Sequence, residues 1–294
     1  MRTFVKLLAL IVIGTAGCAH REPAQLYAPL QPDGWSAQPL PITYRFTPDA
    51  ELDPVTQTPV GDAGYYLYIL TKSGNWDYSS TRSYLLSHAR QPWGHSWIIL
   101  QSPTNRLEWG LNGNFGRQKP KYGEGLRQKF LAGDPNPISY LWVTMSDGEI
   151  ETGNGNRTPT FAWRMPISQR RHQLIHNYVM NWKFGQIGVR SNNCVDLVTE
   201  AAEVAGINLI HRVRLTLPPE TRILGERLPI WKDPQYRILE YSSPDILELD
   251  LRHLAQFGIG RDVTEWYLES DLASPKSKDK GGGGTSGVRA EDSK

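Results

Sequence analysis

The chain has 294 residues, a length that suits one or two compact domains. Hydrophobic residues make up 39% of the sequence and charged residues 21%, a balance that excludes a chain disordered throughout. The formal net charge is +2 and there are only two cysteines, far apart. These counts exclude a strongly basic nucleic-acid-binding protein, a disulfide-rich scaffold and a four-cysteine zinc site.

The first 17 residues have the pattern of a secretory signal peptide. Arg2 and Lys6 precede an apolar run over residues 7–13, and small residues follow it up to Cys18. The apolar run is much shorter than the ~20 residues that a membrane-spanning helix needs, so we expect residues 1–17 to be cleaved.

The sequence around Cys18, Thr15-Ala16-Gly17-Cys18, resembles the bacterial lipobox. The resemblance implies that Cys18 is the lipidated first residue of a mature lipoprotein, anchored to the membrane. Ala19 in the next position implies sorting to the outer membrane, facing the periplasm. An ordinary exported protein, with Cys18 free or in a disulfide bond, is the alternative.

Composition divides the rest of the chain into three segments. Residues 18–60 contain eight prolines and little periodicity, which predicts an extended tether. Residues 61–269 carry the periodic patterns of a folded domain. Residues 270–294 are rich in glycine, serine and lysine and predict a disordered tail.

Strands come first in the folded segment and helices later, an order that predicts an α+β fold with an antiparallel sheet. A turn at residues 102–105 separates two of the predicted strands and indicates a hairpin. The predicted strands cover residues 65–70, 96–100, 106–111 and about 139–145. The predicted helices cover residues 168–183 with Ser168 as N-cap, a segment from Asn192 or Asn193 to Gly206, and residues 244–257.

Cys194 lies at the predicted start of the second helix, where free backbone N–H groups and the helix dipole favour negative charge. Such a position can lower the pKa of a thiol below its usual ~8.5 and make it a nucleophile. The alternative is that Cys194 is a small buried residue that only packs against the helix.

A nucleophilic cysteine needs a base, and His95 is the histidine best placed to serve. It opens the predicted strand after Gly94, where a sheet edge can hold an imidazole in position. Pairing across the hairpin brings Glu108 close to His95 in this interpretation, so that the carboxylate can orient the ring. A solvent-facing Glu108 is the alternative, with Asn112 and Asn114 as substitutes.

The order of His95, Glu108 and the helix that starts with Asn193-Cys194 resembles the circularly permuted branch of the NlpC-type papain-like superfamily, which includes lecithin retinol acyltransferase-like proteins. The resemblance covers residues 61–260. It implies a permuted papain-like domain in which Cys194 is the nucleophile, His95 the base and Glu108 the orienting residue. The backbone N–H of Cys194 is then a natural oxyanion donor. Tyr65, Tyr66 or Gln186 is a candidate for the second donor.

Two other patterns have a structural explanation. His172 and His176 are four residues apart on a predicted helix, but no third ligand is evident, so we expect no metal site. The acids Asp147, Glu149 and Glu151 fail the calcium-loop spacing and predict a solvated loop. We expect no cofactor.

These residues together predict a cysteine hydrolase of the cell envelope, without a nucleic-acid partner. A periplasmic lipoprotein meets peptidoglycan, so a stem-peptide or cross-link amide is the first substrate candidate. A lipid acyltransferase or deacylase with the same cysteine and histidine is the second. A non-catalytic envelope-binding lipoprotein is the third.

Overall fold

A computed structural model describes most of the chain between residues 34 and 270. The described residues are 34–90, 94–113, 128–129, 131–136, 148–153, 155, 157–182, 188, 190, 192–223, 225–229, 231 and 233–270. The fold is α+β with antiparallel sheets, which confirms the predicted class. Within these residues, the helices are all too short or too polar to span a membrane. The signal peptide, Cys18, the predicted strand near 139–145 and the tail after residue 270 lie outside them.

The strands of the main sheet are β2 (Tyr66–Lys72), β3 (His95–Gln101), β4 (Arg106–Gly113), β5 (Gly148–Thr152), β6 (Phe161–Pro166) and β11 (Arg261–Asp262). These six strands have the spatial order β11-β6-β2-β3-β4-β5, and each neighbouring pair is antiparallel. The predicted hairpin forms β3 and β4.

A smaller sheet has the order β1-β7-β10, and a separate hairpin joins β8 to β9. These strands are β1 (Ser36–Pro39), β7 (Arg212–Thr216), β8 (Glu220–Ile223), β9 (Glu226–Pro229) and β10 (Ile238–Ser242). The smaller sheet forms a second core with the aromatic side chains of Trp35, Trp76 and Tyr78.

The described part of the predicted tether is packed against the domain. Ser36–Pro39 forms β1, and Trp35 beside it is fully buried, with its indole N–H donating to the carbonyl of Tyr78. Phe46 makes an isolated bridge with Ile207. Prolines are compatible with an edge strand, so a proline-rich composition did not preclude this docking. The prediction of an extended tether is therefore wrong for residues 34–60.

Helices cover both faces of the main sheet. The helices are α1 (Thr81–Arg90), α2 (Gln169–Met180), α3 (Cys194–Val204), α4 (Pro244–Gln256) and α5 (Thr264–Glu269). We call the face under α2, α3 and α4 the inner face, and the face under α5 the outer face. Sequence patterns predicted α2, α3 and α4, but not α1 or α5.

Local capping explains where two of the predicted helices begin. The Ser168 hydroxyl accepts a hydrogen bond from the Arg171 N–H at the start of α2. Asn193 caps α3, and Gly206, with a φ of 94°, follows its last residues in the left-handed conformation that glycine favours.

A buried carboxylate ties α4 to the inner face of the main sheet. Glu248 accepts hydrogen bonds from the hydroxyls of Thr71 (2.9 Å) and Thr160, and from Arg252 Nε (3.0 Å) and Nη2 (2.8 Å). Glu248 is only 8% exposed. Loss of the carboxylate leaves buried donors without this acceptor, which is costly in a protein interior.

We expect Glu248→Ala to lower the free energy of unfolding by about 3 kcal/mol, because buried charge networks lose that much when one member is removed. The measurement is urea denaturation followed by circular dichroism. Glu240→Ala is the matched control, since Glu240 pairs with Arg214 on a more exposed surface and its loss should cost about 0–1 kcal/mol. Equal losses for the two variants would contradict the role given to Glu248.

Candidate active site at the start of the cysteine helix

The central strand β3 contributes alternate side chains to two different cores. Ile98 and Leu100 pack with Val195 of α3 on the inner face. Trp97 and Ile99 pack with Tyr267 of α5 on the outer face. Since side chains of a strand alternate, Ser96 belongs to the inner face and His95 to the outer face.

Cys194 is the first residue of α3, as the sequence predicted. The Asn193 side chain accepts hydrogen bonds from the N–H groups of Val195 (2.9 Å) and Asp196 (3.2 Å). The Asp196 carboxylate accepts in turn from the Asn193 N–H (3.1 Å) and from the Ser242 hydroxyl (2.5 Å). This capping box holds the start of the helix in place and leaves the N–H of Cys194 for other acceptors.

Two main-chain N–H groups favour the charged form of the Cys194 thiol and act to lower its pKa. One belongs to Ser96 on β3 and the other to Cys194 itself. The residue is half-buried, and Leu111 and Leu197 pack nearby. Hydrogen bonding to the charged form favours that form, so both N–H groups act in favour of the thiolate.

Burial raises the pKa of the Cys194 thiol to about 11. The carboxylate of Asp196 acts in the same direction, whereas the two N–H donors and the positive charge of Arg157 oppose it. The prediction of a lowered thiol pKa is therefore wrong, because desolvation outweighs the helix N-terminus. The thiol is uncharged at pH 7.

His95 is buried, with 8% of its surface exposed, and its ring stacks on Trp97 with centroids 5.8 Å apart. The ring lies over Gly110, where an added Cβ would be only 3.1 Å from Nε2. Burial, followed by the positive charges of Arg157 and Lys72, lowers the pKa of His95 to about 3. The imidazole is therefore neutral at pH 7.

The structure brings Cys194 against the strand that carries His95. The cysteine helix contacts β3, and the N–H of Ser96, the residue that follows His95, acts to lower the pKa of the thiol. The His95 ring lies on the outer face, beside Trp97, and α3 packs on the inner face. No hydrogen bond links the two side chains among the described residues. The site thus has an uncharged thiol on the inner face of β3 and an uncharged imidazole on its outer face.

Glu108 contacts the residue on which His95 stacks. It lies opposite Ile99 in the β3–β4 register, four residues or about 13 Å along the strand from His95. Its carboxylate accepts hydrogen bonds from Trp97 Nε1 (2.8 Å) and the Tyr267 hydroxyl (2.9 Å). The register therefore differs from the predicted pairing of Glu108 with His95.

The asparagines proposed as substitutes for Glu108 differ in what the structure describes. Continuing the same register places the backbone of Asn112 opposite His95. Asn114 lies outside the described residues.

Sequence reasoning missed an ion pair beside His95. Glu151 lies opposite Gly110 in the β4–β5 register and forms a salt bridge with Arg157 at 2.7 Å. Gly155 leaves room for this pair, because an added Cβ would overlap both charged groups. The sequence interpretation placed Glu151 in a solvated loop. In the sequence, the signal for this pair is Gly155, which stands two residues before Arg157.

The other predicted candidates lie away from the thiol or outside the described residues. Tyr66 is at the opposite end of β2 from Lys72, which pairs with His95, and the Tyr65 ring contacts His172. Gln186 and Asp147 are not described. Tyr65 and Tyr66 therefore lie at the end of the sheet away from His95.

The histidine pair His172 and His176 lies on α2, where the ring of His176 contacts Trp109. Within the described part of the chain, no three histidine, cysteine, aspartate or glutamate side chains are grouped so as to hold a metal ion. The ring contacts of both residues are those of side chains packed at the edge of a core.

We expect Cys194 to react slowly with iodoacetamide at pH 7 and much faster above pH 10. A thiol with a pKa of about 11 is ionised about 100-fold less at pH 7 than one with the ordinary value of 9.0. The rate is measured by mass spectrometry on the Cys18→Ser chain, with Cys194→Ala as blank. A rate that is already maximal at pH 7 would contradict the buried, uncharged thiol.

We also expect His95 to make stability fall with acid. The unfolded chain binds a proton near pH 6.5, but the folded chain binds it only near pH 3, so protonation favours unfolding between these values. Lowering the pH from 7.5 to 5 should cost about 2 kcal/mol through His95, measured by urea denaturation at each pH.

Substitution at His95 tests this pH dependence directly. The His95→Gln chain should lose the 2 kcal/mol dependence. Burial also lowers the pKa of His172, so His172→Gln is the matched control. An unchanged slope in His95→Gln would show that His95 is not the group responsible.

Comparison with family models, with curated proteins and with solved structures finds no match to this chain. The site consists of a half-buried cysteine at a capped helix start, two N–H groups that favour its thiolate, and a neutral histidine on the strand that carries Ser96.

Proposed function

We propose that this protein is a thiol-dependent amidase of the cell envelope, built on a permuted papain-like domain. The observation that carries the proposal is the position of Cys194 at the capped start of α3, where the N–H groups of Ser96 and Cys194 favour the thiolate. A cysteine that only fills space needs no such donors, whereas a tetrahedral intermediate needs two donors beside the attacking atom.

The reaction follows from the positions of these groups. The thiol proton passes to the neutral imidazole of His95 as the sulfur attacks an amide carbonyl carbon and a C–S bond forms. The N–H groups of Ser96 and Cys194 bind the resulting oxyanion. The C–N bond then breaks, and His95 returns the proton to the amine. Water hydrolyses the thioester, releasing the acid and restoring the thiol.

Substrate binding has to bring His95 and Cys194 together in this mechanism. In the structure the two side chains lie on opposite faces of the main sheet, so this step requires a rearrangement of His95 or of the start of α3. The positive charge of Arg157 lowers the pKa of both groups, so it favours the thiolate of Cys194 and disfavours the imidazolium of His95. The resting enzyme is therefore uncharged, and the thiolate forms only during the attack.

The proposed substrate is an amide of peptidoglycan peptides. Its support is the lipobox-like sequence at Cys18 and the outer-membrane sorting that Ala19 implies. A lipid acyltransferase or deacylase uses the same two residues on an ester. The third function, a non-catalytic envelope-binding protein, is favoured by the outward-facing ring of His95 and the high thiol pKa.

Product analysis separates the three functions. The protein is incubated with peptidoglycan sacculi and, separately, with phospholipid vesicles, and products are identified by mass spectrometry. We expect released muropeptides, and a loss of at least about 1000-fold in Cys194→Ala, because removing a nucleophile abolishes the covalent route.

Cys18→Ser is the matched control for thiol chemistry, since it removes the other cysteine and should leave the rate unchanged. Lipid products in place of muropeptides would assign the acyltransferase function. Muropeptide release that survives in Cys194→Ala would exclude the thiol mechanism, and no product from either substrate would favour the binding protein.

A further inference from the structure

Three arginine side chains share the outer face of the main sheet, at the end away from His95. Arg164 lies opposite Tyr68 on β2, and Arg261 lies opposite Arg164 on β11. Arg106 lies opposite Gln101 at the start of β4. Residues paired across neighbouring strands point to the same side of a sheet, so the three guanidinium groups share one surface. We call Arg106, Arg164 and Arg261 the arginine patch.

Aromatic rings support two of these arginines. The Arg164 guanidinium lies 4.7 Å from the centroid of the Tyr66 ring, and the Arg106 guanidinium lies 5.0 Å from that of Trp266. Trp266 stacks on Tyr68 with centroids 5.3 Å apart. Cation–π contacts hold guanidinium groups in place and leave their N–H groups available to an outside acceptor.

No carboxylate of the described residues forms an ion pair with the arginine patch, although Asp262 on β11 and Glu265 and Glu269 on α5 are exposed. The polar contact of Arg106 is to Gln101 Oε1 at 3.2 Å, and the salt bridges of the described chain involve other arginines. Like charges directly opposite each other, as in Arg164 and Arg261, destabilise a sheet. An uncompensated cost of this kind points to an anion outside the chain.

The dimensions of the patch favour an extended anionic surface over a single small anion. Arg261 and Arg164 lie on the neighbouring strands β11 and β6, and β2 and β3 separate these strands from β4, which carries Arg106. At ~4.8 Å between neighbouring strands, the patch extends over about 19 Å. A single phosphate cannot contact both ends of it.

The surrounding side chains favour lipid headgroups over a glycan. A sugar binds by stacking on an open aromatic face, but Arg164 covers Tyr66, and Tyr68 and Arg106 both contact Trp266. Trp266 and Leu268 of α5 are nevertheless 37% and 44% exposed. Exposed tryptophan and leucine next to arginines are typical of surfaces at a membrane interface.

We propose that the arginine patch docks the domain on the phosphate headgroups of an anionic lipid membrane. This contact is independent of the amidase function and of any lipid at Cys18. It places the outer face of the main sheet and α5 towards the bilayer.

Vesicle co-sedimentation tests the proposal on the full chain carrying Cys18→Ser. Vesicles contain either phosphatidylcholine alone or phosphatidylcholine with phosphatidylglycerol. We expect stronger binding to the anionic vesicles, which weakens as salt rises from 50 to 500 mM because exposed charges are screened. The combined change Arg106→Gln, Arg164→Gln and Arg261→Gln should lower the partition coefficient at least about tenfold.

Two further variants control for charge and folding. Arg82→Gln, Arg170→Gln and Arg237→Gln together remove the same charge from exposed residues elsewhere and should leave binding largely intact. Replacing the three patch arginines with lysine keeps the charge and should retain binding. Circular dichroism of each variant shows whether a loss of binding comes from misfolding.

Three results would overturn the proposal. The first is equal binding of the wild-type and patch-glutamine chains to anionic vesicles. The second is retention on peptidoglycan sacculi without vesicle binding, which would assign the patch to a polymer. The third is complete release by millimolar inorganic phosphate at constant ionic strength, which would assign it to a single phosphate.

Discussion

The two-residue period of β3, a strand covered on both faces, is the constraint on which the site depends. Ile98 and Leu100 are needed by the core under α3, and Trp97 and Ile99 by the core under α5. His95 must therefore follow Trp97 to the outer face, while α3 holds Cys194 against the inner face. The main-chain N–H of Ser96 lies in the plane of the sheet, between the two faces, and acts to lower the pKa of the thiol.

The same covering explains the electrostatics of the site. Side chains on both faces exclude water from the sulfur and the imidazole, so each group favours its neutral form. Arg157, which pairs with Glu151 beside Gly110, adds a positive charge that acts on both the thiol and the imidazole. A helix N-terminus therefore does not ensure a reactive thiolate when the surrounding core removes the solvent that would stabilise it.

Local signals predicted much of the fold, and non-local contacts account for most of what they missed. Ser168 and Asn193 cap their helices through neighbours within three residues, so both helix starts could be read from the sequence. The buried β1 depends on a partner about 180 residues away. The sequence placed Cys194 at the start of a helix and His95 at the start of a strand, but the face of His95 and the position of Arg157 depend on register, which composition does not encode.

The order of elements along the chain has a consequence for folding during synthesis. Strands β2 to β4 are complete about 80 residues before α3 begins. At ~5–20 residues per second, the inner-face side chains Leu67, Ile69 and Ile98 then wait several seconds for the helices that bury them. Such a sheet is prone to aggregate while half covered. A chain that carries its histidine strand before its cysteine helix thus leaves one face of its main sheet uncovered until the later helices follow.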